Sequence, residues 1–309
     1  MTLTPFSSQL IADVGISAGD EGKGRVVYEV INELKESTEF EDPVRMVLKV
    51  NGGANSGHTA GGLKLNLIPA GVVDLSVAYL GMGAGVVADP RKIHWEAKAL
   101  EHLGFSAYGR LAIDERTLIS DVTHRVLDLC WESYRVNVLN DLPRGSTGRG
   151  ISPAYAEEVG QWQIYYGDFL GHKDAFVAKM KARLERAERL AQHVCQVDVA
   201  TWDYCFKRLT EAEIAANQSS IEANIFPDDA FDFTQFKGKL PFKLNHDTVI
   251  GAYWDAGVLL KDRILDIREI VLHALYDERF VLGEFGQSYW LDKRHGFSPC
   301  VTASHTYTP

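Results

Sequence analysis

Between Leu10 and Ile16 apolar side chains dominate a short run, and after a glycine-rich stretch they return at Val26, Val30, Ile31 and Leu34. The run predicts a buried strand and the three-to-four-residue spacing predicts a helix, so the chain opens on a strand–loop–helix unit. Similar runs predict strands at residues 46–50, 63–68, 77–82, 110–113 and 280–283, and helical patterns cover 92–102, 121–133, 173–194 and 259–276. Interleaved strands and helices predict an α/β fold: a mainly parallel central sheet with helices on both faces and ligands at the carboxyl ends of the strands.

The stretch 161–278 reads differently, being mainly helical and charged with no glycine-rich loop. It is expected to be a helical insertion or subdomain between an α/β core at 1–160 and a return to the core sheet at 279–309. Phe176, Met180, Leu184 and Leu190 among dense Lys, Arg and Glu mark helices packed on one side and solvated on the other.

The composition, 46% hydrophobic and 24% charged over 309 residues, suits a large globular core. A formal net charge of -10 repels nucleic acid and anionic membrane surfaces, so neither is an expected partner and any phosphate must be held by local donors. Cys130, Cys195, Cys205 and Cys300 lack zinc-ligand or disulfide-framework spacing and are expected to be buried, reduced thiols. The amino-terminal residues show no targeting pattern and no apolar run is long enough to span a bilayer, so a cytoplasmic protein is expected.

Candidate chemistry lies in the loops. Gly19-Asp20-Glu21-Gly22-Lys23-Gly24-Arg25 sits between a strand and a helix, where glycines let backbone amides approach an anion and Lys23 adds a point charge. Gly24 follows the lysine where a Walker A loop needs Ser or Thr, so this is not an ordinary P-loop, and alone it could be a tight turn. Asn51-Gly52-Gly53-Ala54-Asn55-Ser56-Gly57-His58-Thr59 offers two amides and an imidazole among glycines, or is a plain surface loop. Gly145-Ser146-Thr147-Gly148-Arg149-Gly150 combines hydroxyls, amides and a guanidinium that suit a phosphate monoester; the bland alternative is a linker. Gly283-Glu284-Phe285-Gly286-Gln287-Ser288 is a weaker candidate at a strand's carboxyl end.

Taken together and in this order, the segments resemble the adenylosuccinate synthetase family. Its GDEGKG loop stands at residues 19–24, its NAGHT-type loop at 55–59 and its TTGRGIGPAY segment at 146–155; Leu67-Ile68-Pro69-Ala70-Gly71, Gly85-Val86-Val87-Ala88-Asp89-Pro90 and Val301-Thr302-Ala303-Ser304 also look like the family's. The resemblance implies a P-loop-like α/β fold and a magnesium-dependent ligase of purine biosynthesis. Such an enzyme uses GTP to phosphorylate O6 of IMP and lets L-aspartate displace the phosphate. It implies Asp20 as the base at N1 and a magnesium contact, His58 as the acid assisting phosphoryl transfer, and the Gly57 carbonyl on Mg2+. Gly19, Asp20, Glu21, Gly22, Lys23, Gly24, Arg25, His58, Thr59 and Ala60 would border the triphosphate. Asn55, Thr147, Gln287 and Thr302 would contact the purine monophosphate, with Arg149 added for its charge. A homodimer is also implied.

Ala18 and Arg25 depart from the family's aromatic residue and lysine, and Gln161 stands where the family lends an arginine to the partner's phosphate. The family's aspartate loop and guanine-recognition segment have no match before Pro309, so either the chain is truncated or partly represented, which is the expectation, or the helical region 161–278 has replaced those functions. Two other readings remain: a phage-type 2-aminoadenylosuccinate synthase using dGMP, with ATP or dATP as possible donors, and a catalytically silent nucleotide-binding paralogue. Asp20 favours IMP over dGMP, and its retention with Lys23 and His58 opposes silence.

Overall fold

The computed structural model describes residues 6–19 and 21–306. β1 (Leu10–Asp13) leads through the glycine-rich loop to α1 (Lys23–Ser37); β2 (Val44–Lys49) is followed by three short strands, β3 (Gly52–Gly53), β4 (His58–Ala60) and β5 (Leu63–Leu65). Next come β6 (Tyr79–Met82), β7 (Val86–Ala88), α2 (Pro90–His102), β8 (Leu111–Asp114), β9 (Leu118–Ile119), α3 (Val122–Asn137) and α4 (Ile151–Val159). The remainder holds α5 (Lys173–Arg189), α6 (Val199–Ala216), α7 (Gln218–Glu222), α8 (His246–Leu259), β10 (Ile264–Leu265), α9 (Ile267–Tyr276) and β11 (Phe280–Glu284).

Six strands form one parallel sheet in the order β1-β11-β2-β6-β8-β10, in agreement with the α/β pattern of the sequence. Side chains alternate between its faces as the two-residue strand period requires. Met46, Ala112 and Val281 pack under Ile267 and Ala274 of α9, while Val47, Leu80, Ile113 and Leu282 join the main core with Val27, Ile31 and Leu34 of α1. That core continues without a break into Phe176 and Met180 of α5, Trp202 and Phe206 of α6, and Tyr253 of α8.

Two predicted elements differ. Only Leu63–Leu65 of the expected 63–68 strand is extended, and it pairs with β4 outside the central sheet. The Glu96 carboxylate collects the amides of Asn66, Leu67 and Ile68 at 2.7, 2.8 and 3.4 Å, using donors that a ladder would need. The expected 259–276 helix is divided: α8 ends at Leu259, Ile264 and Leu265 pair with β8 as the sheet's edge, and Asp266 caps a new helix by accepting from Arg268 N–H at 2.9 Å.

Because β11 lies between β1 and β2, the chain's last strand returns beside its first. Asp13, Glu284 and Lys49 thereby stand in one row at the carboxyl ends of three adjacent strands. The segments leaving those ends carry the candidate chemistry.

Candidate functional site

Helix capping separates two helices from most of the others. Asp89, Asp121, Asp198, Asn245 and Asp266 each place a side-chain acceptor on the first-turn amides of the helix that follows. α1 and α4 instead start after Gly22 and Gly150, both left-handed at φ 73° and 75°, with no side-chain cap. Free first-turn amides and a positive helix end suit an anion. Gly24 has a separate reason: a Cβ there would stand 2.8 Å from the Thr59 carbonyl oxygen, so α1 can pack its first turn directly on the strand bearing His58 only without a side chain.

Each of these helix starts belongs to a cavity. One, of about 220 Å³, is lined by Gly19, Glu21, Gly22, Lys23 and Gly24 together with Asn55, Ser56, Gly57, His58 and Thr59. The other, of about 340 Å³, is lined by residues 144–147, Ile151 and Ser152 of the second loop, and by Asp128, Cys300, Val301 and Thr302. Asn55, Gln287 and Leu291 line both. At this shared wall the Asn55 Oδ1 acceptor and the Gln287 Nε2 donor are buried without a protein partner.

The wall is held from behind. Asn51 exchanges hydrogen bonds with Gly286, accepting from its amide at 2.6 Å and donating to its carbonyl at 3.3 Å. Ser304 Oγ donates to Gln287 Oε1 at 2.7 Å, and Gln287 itself adopts φ 60°. Tyr155 joins two loops, its hydroxyl donating to Gly85 O at 2.6 Å and accepting from Gly52 N–H at 3.1 Å.

Below the first cavity lies a set of buried charges. His58 Nδ1 is 3.2 Å from Glu284 Oε1. Burial, reinforced by Lys49 and Lys23, pushes the His58 pKa down to about 2, so the ring is neutral. Lys49 is wholly buried and donates to the carbonyls of Ser56, at 3.2 Å, and Asn66. Burial lowers its pKa against the opposing pull of Glu284 and Glu96. Burial likewise raises Glu284, while Lys49, the Ala70 amide and Lys23 oppose the shift. Asp13 is raised to about 6, chiefly by burial and further by Glu284 and Glu21, although Lys23 lowers it. Glu21, despite the upward push of its partial burial, is drawn down to about 2 by hydrogen bonds from Ser288 and the amides of Ile16 and Ser17.

The structure thus gathers most of the sequence-selected residues. Gly19, Glu21, Gly22, Lys23, Gly24, Gly57, His58 and Thr59 face one cavity; Thr147 and Thr302 face the other; Asn55 and Gln287 face both. Asp20 lies outside the described residues. Three residues are not brought in: Ala60 is buried, Arg25 points to solvent and pairs with Glu29 at 2.7 Å, and Arg149 pairs with Glu213 at 2.7 Å, away from the cavity lining. Gln161 is exposed in a left-handed turn at φ 62°.

Cys130, Cys195 and Cys205 are buried as expected, but Cys300 is exposed and lines the larger cavity, because it follows the return strand into the loop closing that cavity. Asp13, Lys49, Asp128, Arg144 and Glu213 were not selected from sequence. Asp13 carried a signal, a charge as the last residue of an otherwise apolar strand, and Lys49 a weaker one at the end of a mostly apolar strand; the others depend on long-range packing.

The smaller cavity offers oxygens of Glu21, Asn55, Ser56 and Thr59 beside Lys23 and His58, and among the described residues no group of three or more His, Cys, Asp or Glu converges on a metal position. That donor set fits a magnesium ion carried mainly by substrate phosphates, with few protein ligands. No helix among the described residues is long and apolar enough to cross a membrane.

The family profile described as adenylosuccinate synthetase matches residues 13–226. Adenylosuccinate synthetase of Acetivibrio thermocellus is 28% identical over 296 residues, covering 94% of this chain and 55% of that protein. The Halobacterium salinarum enzyme of that name is 30% identical over 296 residues, with the same 94% and 55% coverage. The chain spans about half the length of these curated relatives. Fully ligated adenylosuccinate synthetase from Plasmodium falciparum superposes with a TM-score of 0.69 at 21% identity, over 97% of this chain and 57% of that one. Cyanophage S-2L succinoaminodeoxyadenylate synthetase, bound to dGMP and to dATP as energy donor, gives 0.50 at 15% identity, over 96% and 56%. Both likenesses concern the fold.

Proposed function

This chain belongs to the adenylosuccinate synthetase family, nucleotide-binding ligases of purine biosynthesis, and we propose that its joined cavities hold a nucleoside triphosphate and a purine monophosphate, reacting across the wall they share. The carrying observation is the pair of orphaned buried atoms, Asn55 Oδ1 and Gln287 Nε2. One acceptor and one donor at the partition suit polar atoms of a bound nucleotide, and leaving both unpaired would be costly.

In this reading the Lys23 ammonium and the open start of α1 receive the triphosphate, while Thr147, Thr302 and the open start of α4 receive the monophosphate. Asp20 takes the N1 proton, making O6 the nucleophile toward the γ-phosphoryl group. A phosphorylated O6 is a good leaving group, and the aspartate amine displaces it as phosphate to form the succinylated purine. His58 is neutral in the ligand-free chain, so it assists as a hydrogen-bond donor to the transferring group. A bound triphosphate would raise its pKa, since nearby negative charge favours the imidazolium. Asp20 and the Gly57 carbonyl would hold magnesium, which when bound neutralises phosphate charge. GTP and IMP are the preferred substrates, Gln161 and the exposed helices would lie toward a second subunit, and a cytoplasmic enzyme is the matching setting.

The second reading replaces IMP by dGMP. The small Ala18 beside the catalytic loop favours it by leaving room for a larger base edge; Asp20 favours IMP. Succino-nucleotide formation is measured with IMP and dGMP side by side, with GTP or ATP, L-aspartate and magnesium. Turnover with IMP and GTP is the expected result. Turnover with dGMP alone selects the second reading, and nucleotide binding without turnover selects a silent paralogue.

A further inference from the structure

Glu213 lies on α6 and is completely buried, yet it is the meeting point of three cations from three other segments. Its Oε1 accepts from Lys92 Nζ of α2 at 2.7 Å, and its Oε2 accepts from Arg125 Nη1 of α3 at 2.8 Å and from Arg149 Nη1 at 2.7 Å. Asn217 Nδ2 also donates to Oε1, at 3.2 Å. Burial alone would push this carboxyl up, but Arg125, Lys92 and Arg149 outweigh burial and hold it well below the usual range. A carboxylate so placed is fully ionised and fully used.

Two of those cations reach the loop that lines the larger cavity. Arg149 belongs to it, and Arg125 Nε donates to the Gly148 carbonyl at 3.1 Å. The other end of the loop has separate anchors: Arg144 donates to Asp128 at 2.8 Å and to Glu132 at 2.9 Å, and Gly145 N–H donates to Glu132 at 3.3 Å. Gly150 N–H at the far end also donates to Asp128 of α3, at 3.2 Å, so Thr147 is slung between the Arg144 anchor and a Gly148–Arg149 stretch whose hold depends on Glu213. None of these residues lines the smaller cavity, whose walls come from the segments leaving β1, β2 and β11.

We propose that Glu213 is a positioning residue: through Arg125 and Arg149 it fixes the Gly148–Arg149 stretch of the loop, and so sets Thr147 for the phosphate of the purine monophosphate. This rests on the assignment of the larger cavity to the monophosphate. It also gives Arg149 a role through Glu213, without contact with the ligand, and gives the mainly helical stretch a part in binding. Neutralising Glu213 would leave three cations facing one another, two of them buried, so the loop end they hold would loosen while the Arg144 end stayed in place.

The test is Glu213→Gln in the otherwise unchanged chain, followed by hydrogen exchange in the ligand-free state and by separate titrations with IMP and GTP. Faster exchange at Gly148 and Arg149, roughly tenfold weaker IMP binding and unchanged GTP binding are expected, the size being that of a lost charge-assisted hydrogen bond. Arg149→Met should reproduce the pattern, and the double variant should bind IMP no worse than either single one, because both act through one contact. Normal loop exchange with normal IMP affinity, even with a lowered melting temperature, would overturn the proposal, as would additive losses in the double variant. If Glu213→Gln does not fold, Arg149→Met decides by the same exchange readout. A wild-type chain that binds no IMP removes the monophosphate assignment and, with it, the purpose given to Glu213; the exchange readout still reports whether Glu213 holds the loop.

Discussion

The two glycine-rich candidate loops of this chain solve the problem of buried charge in opposite ways. Behind the Ser146–Gly150 loop each cation has a carboxylate: Arg144 has Asp128 and Glu132, while Arg125, Arg149 and Lys92 share Glu213. Beneath the glycine-rich loop the charges are poorly matched. Lys23 meets Glu21 only at 3.6 Å, His58 is stripped of its proton, and Asp13 Oδ2 is buried without a hydrogen-bond partner. A satisfied wall is a template whose shape exists before ligand arrives. A frustrated floor gains most when an anion and its cation enter, and perturbed groups of that kind concentrate where reactions occur. On the proposed reading, recognition falls to one loop and chemistry to the other.

That contrast can be broken most sharply by turnover. Asp20→Asn and His58→Asn are each expected to cost about 10²–10⁴-fold in rate at nearly unchanged melting temperature, the usual scale for a lost acid, base or aligned donor. Near-normal succino-nucleotide formation by either variant would move the chemistry elsewhere. The next effect is on binding: Lys23→Ala should weaken the triphosphate by roughly tenfold or more through the lost charge-assisted contact, while calorimetry with IMP shows little change. Equal losses for both ligands would merge the two loops into one function.

The smallest effect concerns stability. Asp13 holds its proton up to about pH 6 in the folded chain, against an ordinary 3.8. Between those values the folded state keeps a proton that the unfolded chain has released, so stability falls as pH rises through this window and levels off above it. Asp13→Asn should flatten the decline, melting higher than wild type well above pH 6 and no higher below the window. Parallel pH profiles for the two proteins would show that Asp13 is not strained in this way.

Much of this was legible along the chain. Glycine spacing located both loops, and an apolar run located the strand that bears the first. The order of strands was less accessible, because the insertion of β11 between β1 and β2 joins residues more than 200 positions apart. Without it Gln287 cannot face Asn55, and Cys300 reads as one more buried thiol. Arg149 was misleading for a related reason. Among glycines it looks free to meet a phosphate, but its partner Glu213 lies 64 residues away on a helix whose sequence reads as ordinary amphipathic cover.

Cys300 offers the most direct measurement of the central assignment, because it is the exposed cysteine and it lines the larger cavity alone. Alkylation of Cys300 is followed by mass spectrometry in the free chain, with IMP, and with GTP. The two-cavity account predicts that IMP slows labelling and that GTP by itself leaves it near the free rate. Protection by GTP alone, or by neither nucleotide under conditions where calorimetry shows both bound, would contradict the assignment of the monophosphate to the cavity bounded by Thr147, Gln287 and Thr302.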